Sequence, residues 1–139
     1  MPLKAYKNMT AYKLFVLDVG LLGAMSELPA ESILEGNDIF VEFKGALTEQ
    51  YVLQQLISDT PYTPYYYGNE KATFEQDFLI QKEKSIVPIE VKAEQNIRSQ
   101  SLKTYCEKFQ PEEAVRFSTL KYKEQDWMVN IPLYAVCNL

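Results

Sequence analysis

Four residues have types and spacings that could do chemistry together: Glu49, Asp77, Glu90 and Lys92. In the run IVPIEVKAEQ, Ile86 to Gln95, an acid and a lysine stand two residues apart among β-formers. Side chains two apart on a strand share a face, so Glu90 and Lys92 point together while Val87, Ile89 and Val91 point the other way. The same alternation in TFEQDFLIQ groups Glu75, Asp77, Leu79 and Gln81 on one face and Gln76, Phe78 and Ile80 on the other. A hairpin pairing of the two runs brings Asp77, Glu90 and Lys92 to one end of a sheet. The helical run GALTEQYVLQQLISDT supplies the fourth group: with Ala46 at zero, Glu49 falls at about 300°, between Leu56 at about 280° and Leu53 at about 340°. An ionised carboxylate in an apolar stripe costs several kcal/mol unless it is paired or binds a metal. Glu49 therefore calls for a cation, either Lys92 or a divalent ion. Three carboxylates and a lysine make a hard-oxygen site suited to Mg²⁺ or Mn²⁺. Such a site can polarise a phosphodiester and activate water while the lysine steadies the developing charge.

Composition narrows the alternatives. The 139 residues contain no histidine, which excludes Ser-His-Asp and Cys-His mechanisms and leaves carboxylates, lysine, hydroxyls or metal. Zinc is not expected, because Cys106 and Cys137 show no C-x-x-C spacing and histidine ligands are lacking. The two cysteines read as buried thiols in a reducing compartment. The N-terminus has no apolar stretch of signal-peptide length, and the run LFVLDVGLLGAM is broken by Asp18 and two glycines, so a cytoplasmic protein without a membrane span is expected. The net charge of −5 argues against broad electrostatic attraction to nucleic acid. Lys92 to Lys123 runs the other way, with Lys92, Arg98, Lys103, Lys108, Arg116, Lys121 and Lys123 against Glu94, Glu107, Glu112 and Glu113. One face can be basic although the whole is acidic.

The elements that must position these groups follow from periodicity. Leu14–Val19 reads as a strand, followed by a short helix or turn up to Pro29. Asp38–Phe43 leads into the helix that carries Glu49, which Pro61 and Pro64 terminate. YTPYYYGNE reads as a short aromatic strand closed by a turn at Gly68-Asn69. TFEQDFLIQ and SIVPIEVKA form a hairpin across KEK. Ser99 or Ser101 caps a helix with Leu102, Tyr105, Cys106 and Phe109 inward, stopped by Pro111. AVRFSTL is a strand, KYKEQDWM is polar with Asp126-Trp127 opening a strand, and IPLYAVCNL closes the chain as an edge strand. This order describes a single mixed α/β domain with a central sheet, with residues 1–40 as a lead-in segment packed on it.

The ordered set of Glu49 on a helix, Asp77, then Glu90-Val91-Lys92 resembles the PD-(D/E)xK, or restriction-endonuclease-like, nucleases. AYKLFVLDVGLL, FKGALTEQYVLQQL, YYYGNE, FEQDFLI and VPIEVKAEQNIRSQSLKTY together look like the C-terminal domain of unknown function of bacterial and archaeal AAA-type ATPases. The resemblance implies a restriction-endonuclease-like mixed central β-sheet flanked by helices. It also implies Asp77, Glu90 and Glu49 as ligands of Mg²⁺ or Mn²⁺, Lys92 as the catalytic lysine, and Gln100, Lys103 and Arg98 near the substrate phosphate. Gln76 stands where the name-giving motif has proline. DNA is the implied substrate and an AAA-type ATPase domain, in cis or trans, the implied partner; an oligomer is compatible. No GxxxxGK[ST] loop is present, so the ATPase domain is absent from this sequence, which is then a fragment or a lone module.

Blander readings stand beside these. An isolated E-x-K is most often a solvated strand face with cross-strand pairing, and Glu49 could lie at the margin of its stripe. Arg98, Lys103 and Lys108 taken singly are ordinary helix charges. Tyr65, Tyr66 and Tyr67 could stack on unpaired bases, or form a buried strand with one exposed ring. The main alternative to an enzyme is a catalytically inactive module of the same fold that docks protein or nucleic acid and regulates an ATPase.

Overall fold

Alternating apolar residues in the hairpin and a 3.6-residue period in the long helix generate two layers that can bury against each other. The computed structural model describes residues 2–29, 31, 38–68, 74–93 and 98–139. Asn69, half of the expected turn, and Glu94, counted in the basic stretch, lie outside the described residues. The strands are β1 (Tyr65–Tyr67), β2 (Gln76–Lys82), β3 (Ser85–Lys92), β4 (Val115–Ser118), β5 (Lys123–Gln125) and β6 (Met128–Pro132). The α-helices whose bounds fall among the described residues are α1 (Val19–Met25), α2 (Asp38–Asp59) and α3 (Gln100–Phe109). The sheet has the order β1-β2-β3-β4-β6-β5, so the protein is mixed α/β with a six-stranded mixed sheet flanked by helices. β3, β4 and β6 run parallel at its centre, while β1, β2 and β5 add antiparallel neighbours.

One face of the sheet is the apolar layer. Phe78, Ile80, Val87, Ile89, Val115 and Phe117 pack there against Val52 and Leu56 of α2 and against Val136. Each such side chain, once buried, contributes about 1.5–3 kcal/mol. The opposite face carries α3, where Leu102 packs on Ala114 and Met128. Tyr67 ties β1 to that helix through edge-on contacts with Tyr105 and Phe109, at 5.7 and 5.6 Å between ring centroids. Gln110 takes the left-handed conformation at φ 47, and with Pro111 behind it α3 stops. Among the described residues no helix is long and apolar enough to cross a membrane.

Several expectations need correction. Leu14–Val19 joins no ladder; polar side chains of α2 hold it in place. The Gln50 amide accepts from Val16 N–H at 3.1 Å and donates to Val16 O at 2.9 Å, and Gln54 accepts from Val19 N–H at 3.0 Å. Glutamines four apart on a helix share a face, so the pair at 50 and 54 acts as a substitute strand edge. Helix α2 already begins at Asp38. The polar KYKEQDWM contains the edge strand β5, which leaves β6 interior, and Leu133–Asn138 turns into 3-10 helix where the edge strand was expected. Cys137 is exposed and Cys106 only partly buried; both are free thiols.

Gln50 is 2% exposed, so Gln50→Ala strands two backbone groups of Val16 without partners. The expected cost is about 1–3 kcal/mol, with faster proteolytic cleavage between residues 2 and 18 than in wild type. Limited proteolysis with mass spectrometry reads this directly. Unchanged cleavage kinetics would show that other contacts hold the segment.

Candidate functional site

The β2–β3 ladder runs from Lys82↔Ser85 to Phe78↔Ile89 and goes no further. Past that point side chains span the gap between the strands. Gln76 Nε2 donates to Ile89 O at 2.6 Å, and Asp77 Oδ2 accepts from Val91 N–H at 2.8 Å. β2 is also irregular here: Tyr65 pairs with Leu79 but Tyr67 with Gln76, a one-residue slip of the kind a β-bulge produces. The hairpin thus opens into a fork, with Asp77 at its mouth and Glu90 on the far tine.

Burial pushes the Asp77 carboxyl up from its ordinary 3.8 to about 6; the Val91 N–H opposes that shift, the charge of Glu49 adds to it, Lys13 opposes it, and Glu90 adds to it. Asp77 therefore feels groups from α2, from the lead-in segment and from β3 at once. Glu49 is partly buried and its cation is Lys13, whose Nζ lies 3.0 Å from Oε1. The protein side chain that pairs with Glu49 is thus Lys13, where Lys92 was one of the two expected cations. Lys13 gave no signal in the sequence, because its partner is 36 residues away on another element.

Glu90 is held differently. Its side chain is 3% exposed, Oε2 accepts from Leu102 N–H at 2.9 Å, and Lys92 Nζ lies 2.7 Å from Oε1. That ion pair is close but poorly directed, so Oε1 remains buried without a hydrogen bond. Glu90 does the capping of α3 that was assigned to serine: Ser99 occupies the N-cap position without a side-chain cap bond, and its hydroxyl accepts from Arg116 Nη1 at 3.2 Å instead. The negative charge at the first turn also suits the helix dipole. Lys92 is 36% exposed, so its amine bridges the buried carboxylate and solvent.

Sequence reasoning missed the continuation of this row. Parallel register sets Arg116 beside Glu90 and Asn130 beside Arg116. All three are buried, and Arg116 Nε donates to Asn130 Oδ1 at 2.9 Å, which also accepts from Ser118 Oγ at 2.7 Å. Burial holds the guanidinium below its ordinary value, with the Glu90 charge opposing the shift. A signal existed: in AVRFSTL an arginine stands between apolar residues in a strand with both faces covered.

Arg98 and Gln100 are exposed at the start of α3, and Lys103 faces solvent one turn on, with Nζ 3.9 Å from Glu107. Among the described residues no three acidic or thiol groups stand together as a ready-made ion cage. The donor chemistry at the fork still fits one hard cation. The buried side-chain polar atoms that lack a hydrogen bond among the described residues are Gln76 Oε1 and Glu90 Oε1, both acceptors, both at the fork. Mg²⁺ is commonly held by one or two carboxylates together with water and phosphate, which Asp77 and Glu90 can supply without Glu49.

No curated protein matches the chain. The model of one family does match, over residues 44–136, from the body of α2 to the C-terminal 3-10 turns, a stretch that contains Glu49, Asp77, Glu90 and Lys92. The chain belongs to that family, described as a domain of unknown function, DUF4143.

Proposed function

We propose that the protein is a metal-dependent phosphodiesterase of restriction-endonuclease-like type, acting on DNA as the C-terminal module of an AAA-type ATPase. The observation that carries this reading is the fork, where an Asp77 carboxyl raised to about 6 feels the charge of a buried Glu90 whose Oε1 is ion-paired to the partly exposed Lys92 but makes no hydrogen bond. A buried acid pushed well above its ordinary value, as Asp77 is, is typical of sites with chemical work to do. Asp77 and Glu90 would hold Mg²⁺ or Mn²⁺, which when bound would polarise the phosphate and lower the pKa of an attacking water. Lys92 stands where its ammonium can leave Glu90 for the phosphate oxygens as charge develops there. Glu49, neutralised by Lys13, tunes Asp77 from the α2 side and is not required as a ligand. Arg98 and Gln100 at the mouth of α3, with Lys103 a turn away, are candidate contacts to the flanking phosphates.

One observation favours a second reading, a catalytically silent module that docks on an ATPase or on nucleic acid. Glu90 caps α3 and is paired with Lys92, which is a complete structural role for both. Plasmid nicking separates the two. With Mn²⁺ present, the enzyme reading expects nicked product from wild type and a loss of at least about 100-fold in Lys92→Ala, the scale of removing one preorganised charge from a transition state. Supercoiled plasmid that stays intact with wild type at millimolar Mn²⁺ would favour the silent module.

A further inference from the structure

The lead-in segment and β1 enclose an open groove of about 730 Å³ beside the fork. Lys4, Lys7 and Lys13 line it together with Tyr6, Tyr12 and Tyr66, and among the described residues no Asp or Glu does, although the chain carries 19 acids against 14 bases. The groove therefore reverses the sign of the molecule as a whole. Its rings are accessible, with Tyr12 at 72% exposure, and Lys4 and Lys7 are exposed. Lys13 joins the groove to the candidate site, since its Nζ lies 3.0 Å from Glu49 and 5.6 Å from the centroid of the Tyr66 ring. The segment is fixed at both ends, by Leu3 N–H donating to Gln81 Oε1 at 2.9 Å and by the Gln50 pairing at Val16, so the wall is anchored to the fold.

A polyanion with flat apolar groups fits such a lining. Lysines at intervals meet backbone phosphates, and tyrosine faces stack on bases that are free of a partner strand. A duplex keeps its bases stacked on one another and offers only phosphates, which a net charge of −5 repels over the wider surface. We infer that this groove binds single-stranded nucleic acid and leads it to the fork. Delivery of the strand to the fork rests on the phosphodiesterase reading; the binding does not.

Fluorescence anisotropy with labelled oligo-dT, oligo-U and a duplex of equal length tests the inference on the full chain. Binding of a single strand in preference to the duplex is expected, weakening with salt at a log–log slope of about −2 from two or three neutralised phosphates. The two single-stranded arms tell DNA from RNA. The double variant Lys4→Glu, Lys7→Glu should weaken binding at least about tenfold, and Tyr12→Ala about tenfold; both change exposed side chains, and circular dichroism checks the fold. Equal affinity for the duplex, an unaffected charge-reversal variant, or no binding of either single strand would overturn it. Single-strand binding by the wild type without nicking fails the phosphodiesterase reading alone, and nicking without single-strand binding fails the groove alone.

Discussion

Asp77→Asn stabilises the metal-free protein at pH 8 and leaves its stability nearly unchanged at pH 4. The folded carboxyl titrates at about 6 and its ordinary value is 3.8. Between these values the folded state holds more protons than the unfolded one, so native stability falls as pH rises through the window. Above it the full cost of an ionised Asp77 is present; below it the group is neutral in both states. The asparagine keeps an oxygen for the Val91 N–H and removes the charge that burial, Glu49 and Glu90 disfavour. Allowing for solvent screening, the gain is about 1–3 kcal/mol at pH 8, or several degrees in Tm for a chain of this size. Thermal melts of both proteins from pH 4 to pH 8 measure the gap directly. A gap that does not widen between pH 5 and pH 7 would mean that Asp77 titrates like a solvated acid. On the phosphodiesterase reading, that stability is given up for activity, the ordinary trade-off between the two.

The second large effect has the opposite sign. Glu90→Ala removes the acceptor for Leu102 N–H, the partner of Lys92 and a negative charge that acts on the buried Arg116. Breaking a buried ion pair by deleting one member costs about 3–5 kcal/mol, because the other charge is left uncompensated. Glu90→Gln retains an oxygen for the start of α3 and should cost markedly less, about 1–2 kcal/mol. Urea denaturation midpoints of the two variants, at equal m-value, check the difference. Equal losses would show that the charge rather than the cap matters. One consequence is practical: loss of activity in Glu90→Ala cannot be read as loss of a ligand, and Lys92→Ala, which strands the same buried carboxylate, is compared only after circular dichroism shows it folded, whereas Asp77→Asn keeps an acceptor for the Val91 N–H.

How much of this was legible in the sequence depended on the range of the interaction. The β2–β3 hairpin, the long helix and α3 are local, written in alternation, in a 3.6-residue period and in Pro111, and they are where periodicity places them. The pairing of Leu14–Val19 was not legible, because β-propensity describes a half-buried surface and says nothing of what covers it. Here glutamine side chains at 50 and 54 supply the hydrogen bonds that a neighbouring strand would have made. The same limit applies to the site. Alternation suggested that Asp77, Glu90 and Lys92 share one end of the hairpin, but other partners of the acids come from elsewhere: Lys13 pairs with Glu49, the first turn of α3 donates to Glu90, and Arg116 stands one strand over. Arg116 was counted among the basic residues and passed over, although its apolar flanks marked it as buried.

The fork is a cation site or it is a structural latch, and a melting curve distinguishes them. At pH 7.5, with MnCl₂ raised from micromolar to millimolar, a site built on Asp77 and Glu90 predicts a wild-type Tm that climbs with the logarithm of metal concentration, by about 1.4 kcal/mol of stability per tenfold once the site is filled. Asp77→Asn, folded and already more stable, should show no such climb. A wild-type Tm that stays fixed through millimolar Mn²⁺, or a climb of equal size in Asp77→Asn, contradicts a metal held at the fork.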